Sequence, residues 1–180
     1  MNIKCEIKQI KNKLEEIEKE LNKSTTIDDI KVGEQFIYKR HNYTKLSKNN
    51  YCIIDDYDSS FMSCIFDPMS NDYDESLVRQ YINSDRFINR LGVNKNDLQV
   101  CDDDENRITL ISVGEYEYYQ DSIRDYGWGW MTRSSYSYSD NYFCFFYGNG
   151  TVNYSYVCSG YGVRVCFVLK PNTPVERKCK

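Results

Sequence analysis

A chain of 180 residues, 41% hydrophobic and 28% charged, is long enough to bury one core and has room for only a short appendage besides. Its formal charge of −4 excludes broad electrostatic capture of nucleic acid, which needs a basic face. No apolar run approaches the roughly 20 residues of a membrane span, so membrane insertion is not expected.

The N-terminal segment alternates charge with single aliphatic residues. It lacks the uninterrupted apolar stretch of a signal peptide, so synthesis is expected in a cytoplasm, with any external location reached by lysis or a special route. Ile3, Ile7, Ile10, Leu14, Ile17 and Leu21 recur at spacings of 4, 3, 4, 3 and 4, which predicts a coiled-coil helix over residues 1–23. Isoleucine at the d positions favours a homo-oligomer of three or four strands, a trimer first. The competing assignment is a lone helix that packs its stripe on its own domain.

Ser24, Thr25 and Thr26 end the periodicity. Short aromatic or β-branched runs at 35–39, 43–46, 51–55 and 61–66 read as strands separated by Asn, Asp and Ser turns. Leu77, Val78, Tyr81 and Ile82 then lie on one helical face, with Ser76 or Asp74 placed to cap it. Phe87, Ile88 and Leu91 continue a second short helix. Residues 107–113 read as a buried strand and 114–120 as a helical turn. Strands at 141–147 and 151–157 flank Gly148, Asn149 and Gly150, a strong hairpin signal. Residues 162–169 read as one fully buried strand. The prolines at 171 and 174 predict a flexible tail over 171–180.

Between Arg133 and Arg164 there is no Lys, Arg, Glu, Gln or His. Tyrosine, Ser, Asn and Gly dominate instead, as in an antibody paratope. There tyrosine gives contact area at small entropic cost and the small polar residues give adaptable hydrogen bonds. Tyr136, Tyr138, Asp140, Tyr142, Tyr147, Asn153, Tyr154, Tyr156 and Tyr161 are the candidate ligand-binding residues. Alternation puts Val152, Tyr154 and Tyr156 on one face of their strand and Asn153 and Ser155 on the other, with both faces candidates. The competing assignment is cross-strand packing inside a small sheet. Trp128, Trp130, Arg133 and Arg164 are expected to be structural: the tryptophans as core anchors, the arginines holding a carboxylate or loop carbonyls.

Several motifs carry a resemblance. Trp130, Met131, Thr132, Arg133 and Ser134 precede the tyrosine-rich stretch; Tyr147 to Val152 and Gly162, Val163 and Arg164 follow. Upstream stand Lys31 to Phe36, the stretch from Asn71 through Asn83, and Thr109 to Tyr116. In order and spacing these resemble an uncharacterised family of bacterial and phage domains, whose hallmarks are W-x-L-R-S-P and a closing G-V-R-P-A-L. That family is similar to the C-type-lectin-like fold of formylglycine-generating enzymes and of the variable proteins of diversity-generating retroelements. The resemblance implies an α+β, C-type-lectin-like domain over residues 27–170 whose last third displays a binding face. It implies a virion or phage-tail setting and a protein or glycan partner on a cell surface. Thr132, Ser135 and Val165 depart from the pattern, and Val165 removes the proline that would end the strand. Every residue of the tyrosine-rich stretch is encoded by some codon ending in a pyrimidine, the palette that retroelement mutagenesis of adenines would write. A structural tail or assembly component is the first alternative.

Catalysis is poorly supported. His41 is the single histidine and no triad or phosphate-loop pattern accompanies it. Cys144, Cys158 and Cys166 do not match the surroundings of a formylglycine-type oxidation site, and none of the eight cysteines forms a C-x-x-C pair. Reduced thiols are the expectation. The acidic run from Asp102 to Asn106 lacks the glycine and distal glutamate of a calcium loop and reads as a solvated turn. No cofactor and no metal are expected.

Overall fold

The computed structural model describes residues 7, 10–14, 25–56, 63–124, 129–147 and 149–178. Among these the chain is mixed α+β, with two sheets and few helices. The first sheet contains β1 (Gln35–Tyr38), β2 (His41–Lys45), β3 (Tyr51–Ile54), β5 (Thr109–Leu110), β10 (Val165–Val168) and β11 (Glu176–Arg177), in the order β11-β1-β2-β3-β10-β5. The second contains β4 (Ser63–Ile65), β6 (Trp130–Ser135), β7 (Tyr142–Phe146), β8 (Val152–Tyr156) and β9 (Gly160–Gly162), in the order β4-β9-β6-β7-β8. All pairings are antiparallel except that of β6 with β9, which meet through Trp130 and Gly162.

Local chemistry sets the helix ends. The Ser76 hydroxyl accepts the Arg79 amide and opens α1 (Leu77–Asn83). Ser84 does the same for α2 (Asp85–Leu91), which ends at Gly92 with φ of 70°. A capping box between Ser112 and Glu115 opens α3 (Val113–Tyr119). That box explains why the strand expected over 107–113 shrinks to β5: the Ser112 hydroxyl and Glu115 recruit the backbone into a helix just where the apolar run would otherwise continue.

The apolar runs of β3 and β10 are buried on both faces, as in a sheet covered on both sides. Cys52 and Ile54 of β3 and Val165 and Phe167 of β10 face the larger core, with Phe36, Tyr43, Phe66, Phe87 and Phe143. Ile53 and Cys166, their sequence neighbours, face a second core with Leu46, Tyr116, Trp130 and Phe146. Helices α1 and α2 contribute to the first core, and α3 closes the second.

The strand expected over 162–169 is two strands in different sheets, β9 and β10, with Val163 and Arg164 as the crossing. Residues 171–178, within the segment expected to be a flexible tail, also carry tertiary pairings. The Lys170 amide donates to the Asp97 carbonyl, Thr173 and Val175 are buried, and β11 pairs with β1. The prolines leave enough amides free for this: Val175 donates to the Thr25 carbonyl, and Ile27 donates back to Thr173 (both 2.9 Å).

Candidate functional site

The β7–β8 hairpin decides where the tyrosines point. Phe143 and Phe145 alternate into the larger core, so Tyr142, Cys144 and Phe146 face the other way. Across the register Phe146 pairs with Val152, Cys144 with Tyr154 and Tyr142 with Tyr156. One end of this outer face is covered. Tyr116 of α3 lies 3.9 Å from the Phe146 ring and 5.5 Å from Trp130, centroid to centroid. The helix is too short to reach the other end, where tyrosines remain at the surface.

Five rings meet there. Tyr138 lies 5.5 Å from Tyr136, which stacks on Tyr154 at 4.4 Å. Tyr154 meets Tyr142 edge-on at 5.5 Å, and Tyr142 lies 4.5 Å from Tyr156. Such pairs contribute about 0.5–1.5 kcal/mol each beyond burial and hold the rings in place. Tyr138, Tyr154 and Tyr156 nevertheless stay 85%, 50% and 56% exposed. The face is uncharged. The neighbouring Tyr156 hydroxyl and partial burial push the Tyr142 hydroxyl upward from its ordinary value, and burial and neighbouring tyrosines push Tyr136 upward as well.

The loop that carries Tyr136, Tyr138 and exposed Asp140 is fixed from outside the hairpin. The buried Asn71 side chain donates to the carbonyls of Tyr136, Ser139 and Tyr142 at 2.9–3.1 Å. The Ser135 hydroxyl donates back to the Asn71 carbonyl. Asn71 itself sits in a turn-rich segment before α1. Its sequence shows only an asparagine among turn residues, so the clamp was not legible there.

Not every candidate joins the face. Tyr161 packs on Phe143 and Phe145 from β9, with ring centroids 5.6 and 4.4 Å away. Tyr147 lies edge-on to Phe145. Asn153 alternates away from Tyr154, and its Oδ1 accepts the Tyr154 amide at 2.8 Å. These three lie on the opposite side of the hairpin, and the period of two is the reason.

The arginines and Trp130 have structural surroundings. The Arg164 guanidinium, at the crossing between sheets, donates to the carbonyls of Ile54 and Arg124 and to the Asp55 carboxylate at 2.9 Å, and lies 5.3 Å from the centroid of buried Trp130. Arg133 pairs with Glu115 at 2.6 Å and donates to the Leu110 carbonyl. Burial works against the Glu115 charge, yet Arg133 and the Ser112 amide together hold its carboxyl below the usual range. Trp128 lies outside the described residues, as do Ile3, Ile17 and Leu21 of the seam. Residues 7 and 10–14 are helical, and Ile7, Ile10 and Leu14 are exposed.

Cys52, Cys64, Cys101, Cys144, Cys158 and Cys166 are free thiols. Burial pushes Cys64 up to about 11 and Cys166 up to about 12, which leaves them protonated and poorly nucleophilic near neutrality. Among the described residues no group of His, Cys, Asp and Glu is arranged to hold a metal ion. Asp102 and Asp104 instead bind the Arg79 guanidinium at 2.9 and 3.0 Å. His41 contacts Asp56 beside the Asn42 amide, at the far end of β2 from the Lys45 ammonium. Among the described residues no helix is long and apolar enough to cross a membrane.

Residues 92–171 match a family model described as Domain of unknown function (DUF6273). The matched segment is similar to that family from the end of α2 through β10, and all five rings of the outer face lie within it. No curated protein and no solved structure matches the chain.

Proposed function

We propose that this chain is a recognition protein whose outer β7–β8 face, built from Tyr136, Tyr138, Tyr142, Tyr154 and Tyr156, binds a protein or glycan on a cell surface. One observation carries the reading: five tyrosine rings touch in a continuous series while three of them keep about half or more of their surface in water. Rings that are held by one another and remain exposed give contact area at small entropic cost.

In this reading the domain is C-type-lectin-like, and its last third presents the face as the resemblance implies. The heptad seam from Ile3 to Leu21 joins several copies, a trimer first, so that weak sites act together through avidity. The exposure of Ile7, Ile10 and Leu14 supports a partner helix over that seam. The setting is a phage or prophage particle. The codon palette of the face suits diversification by a retroelement.

The test replaces Tyr136, Tyr154 and Tyr156 by serine and measures retention of labelled protein on intact bacterial cells. Retention is expected to fall by roughly tenfold or more, the effect of removing central aromatic contacts, with the melting temperature held within a few degrees. Unchanged retention on cells that bind the parent overturns the reading. Collapse of the fold in each single variant assigns the tyrosines to packing, the tail-component alternative. Sequencing the flanking DNA tests diversification: a reverse transcriptase and a near-repeat of the last third are expected beside the coding region.

A further inference from the structure

The charge on the chain segments that build the tyrosine face is one-sided. Two stretches of chain build and fix it: residues 134–163, which carry the rings, and 67–75, which carry the Asn71 clamp. Between them they hold Asp67, Asp72, Asp74, Glu75 and Asp140, and no Lys, Arg or His. The bordering cations are already engaged: Arg133 by Glu115, Arg164 by Asp55 and Arg79 by Asp102 and Asp104. Of the five carboxylates, Asp67 is occupied by the amides of Met69, Ser70 and Leu77, and Asp74 lies 3.9 Å from Arg79. Asp140 stands exposed in the loop that bears Tyr136 and Tyr138. Asp72 is exposed one residue from the clamp, and among the described residues only its Oδ1 is occupied, by the Asp74 amide.

From this placement we infer that the face takes a cationic partner, an arginine- or lysine-bearing protein segment, with the tyrosine rings receiving the cation and Asp72 and Asp140 flanking it. The inference rests on the recognition reading above and names the chemistry of its partner. Tyrosine faces attract guanidinium and ammonium groups through the ring quadrupole. Carboxylates at the rim steer a cationic partner inward and reject an anionic one. The chain's net charge of −4 adds to the long-range attraction. A neutral sugar can hydrogen-bond a carboxylate but is not steered by its charge. It stacks on an open ring, and here Tyr136 and Tyr154 spend one face on each other.

The test uses the full chain with three probes: an arginine–glycine peptide, a glutamate–glycine peptide of equal length, and maltohexaose. The arginine peptide is expected to shift the ring and amide resonances of Tyr138, Tyr154 and Tyr156 in two-dimensional NMR spectra. Its affinity is expected to drop roughly tenfold in the Asp72→Asn/Asp140→Asn double variant and to fall with added salt. Asparagine keeps the Oδ1 that caps the Asp74 amide, so the turn survives the change. Absence of a response to the arginine peptide, or an equal response to the glutamate peptide or the sugar, overturns the cationic partner. Cell retention separates this failure from that of the recognition reading. Loss on tyrosine replacement but not on neutralising Asp72 and Asp140 removes the partner class and leaves the reading. Indifference to both removes the reading itself.

Discussion

At the scale of single residues, Arg164 has the most at stake. Its side chain is 5% exposed and that of Asp55 is fully buried, so neither charge has water as a substitute partner. Asp55 also accepts from the Thr44 hydroxyl and the Gln35 amide. Arg164→Ala is expected to cost roughly 3–5 kcal/mol in urea denaturation, because it leaves a carboxylate buried without its cation. Arg164→Lys is expected to recover only part of this, since one ammonium cannot reproduce a fork directed at two carbonyls and a carboxylate. Glu115 behaves differently because it titrates. Its folded value is lowered below the ordinary 4.5, so its contribution is fully present above that pH and is lost as pH falls through the folded value. Glu115→Gln is therefore expected to lower stability near neutrality by about 1 kcal/mol and to flatten the acid limb of a stability–pH curve below about pH 4.5, read by thermal melts.

At the scale of elements, β8 lies at an open sheet edge. The Tyr147 amide donates to the Thr151 carbonyl and the Val157 amide to the Asn141 carbonyl. By alternation the amides and carbonyls of Val152, Tyr154 and Tyr156 point away from β7. Two of these groups are blocked. Asn153 covers the Tyr154 amide, and the Tyr156 carbonyl accepts the Ser159 amide. Asn153 thus guards the edge against strand addition. Asn153→Val is expected to promote concentration-dependent self-association, measured by light scattering, with the fold retained. Asn153 shows what sequence reading can reach here. Composition marked out the stretch that holds the hairpin, and period-two alternation split that hairpin into the two faces seen in the structure. Which face meets water depends on where α3 ends, and no pattern within β8 reports that. The division of residues 162–169 was hidden for a similar reason. Both halves are extended and apolar, and the change of sheet at Val163 and Arg164 depends on Asp55, more than a hundred residues earlier. Strands β1 and β7 and helices α1 and α2 were legible because each follows its own period and, for the helices, has its own capping serine, and β3 because its apolar run is short and bounded by turn residues.

At the scale of the molecule, residues 25–27 and 173–175 close on each other through Thr25, Ile27, Thr173 and Val175. Neither of these bonds involves a residue of the heptad seam. Removing residues 1–24 is expected to leave the melting temperature within a few degrees of the parent and to convert the proposed trimer to a monomer in sedimentation velocity. A truncated chain that unfolds assigns the seam to the domain's own packing. The Asn71 clamp has a further effect at this scale. It grips the main-chain oxygens of residues 136, 139 and 142, which every amino acid supplies alike. The lettering of that loop is therefore free to change while its shape persists: a replaced tyrosine alters what the surface greets without altering how the surface is held.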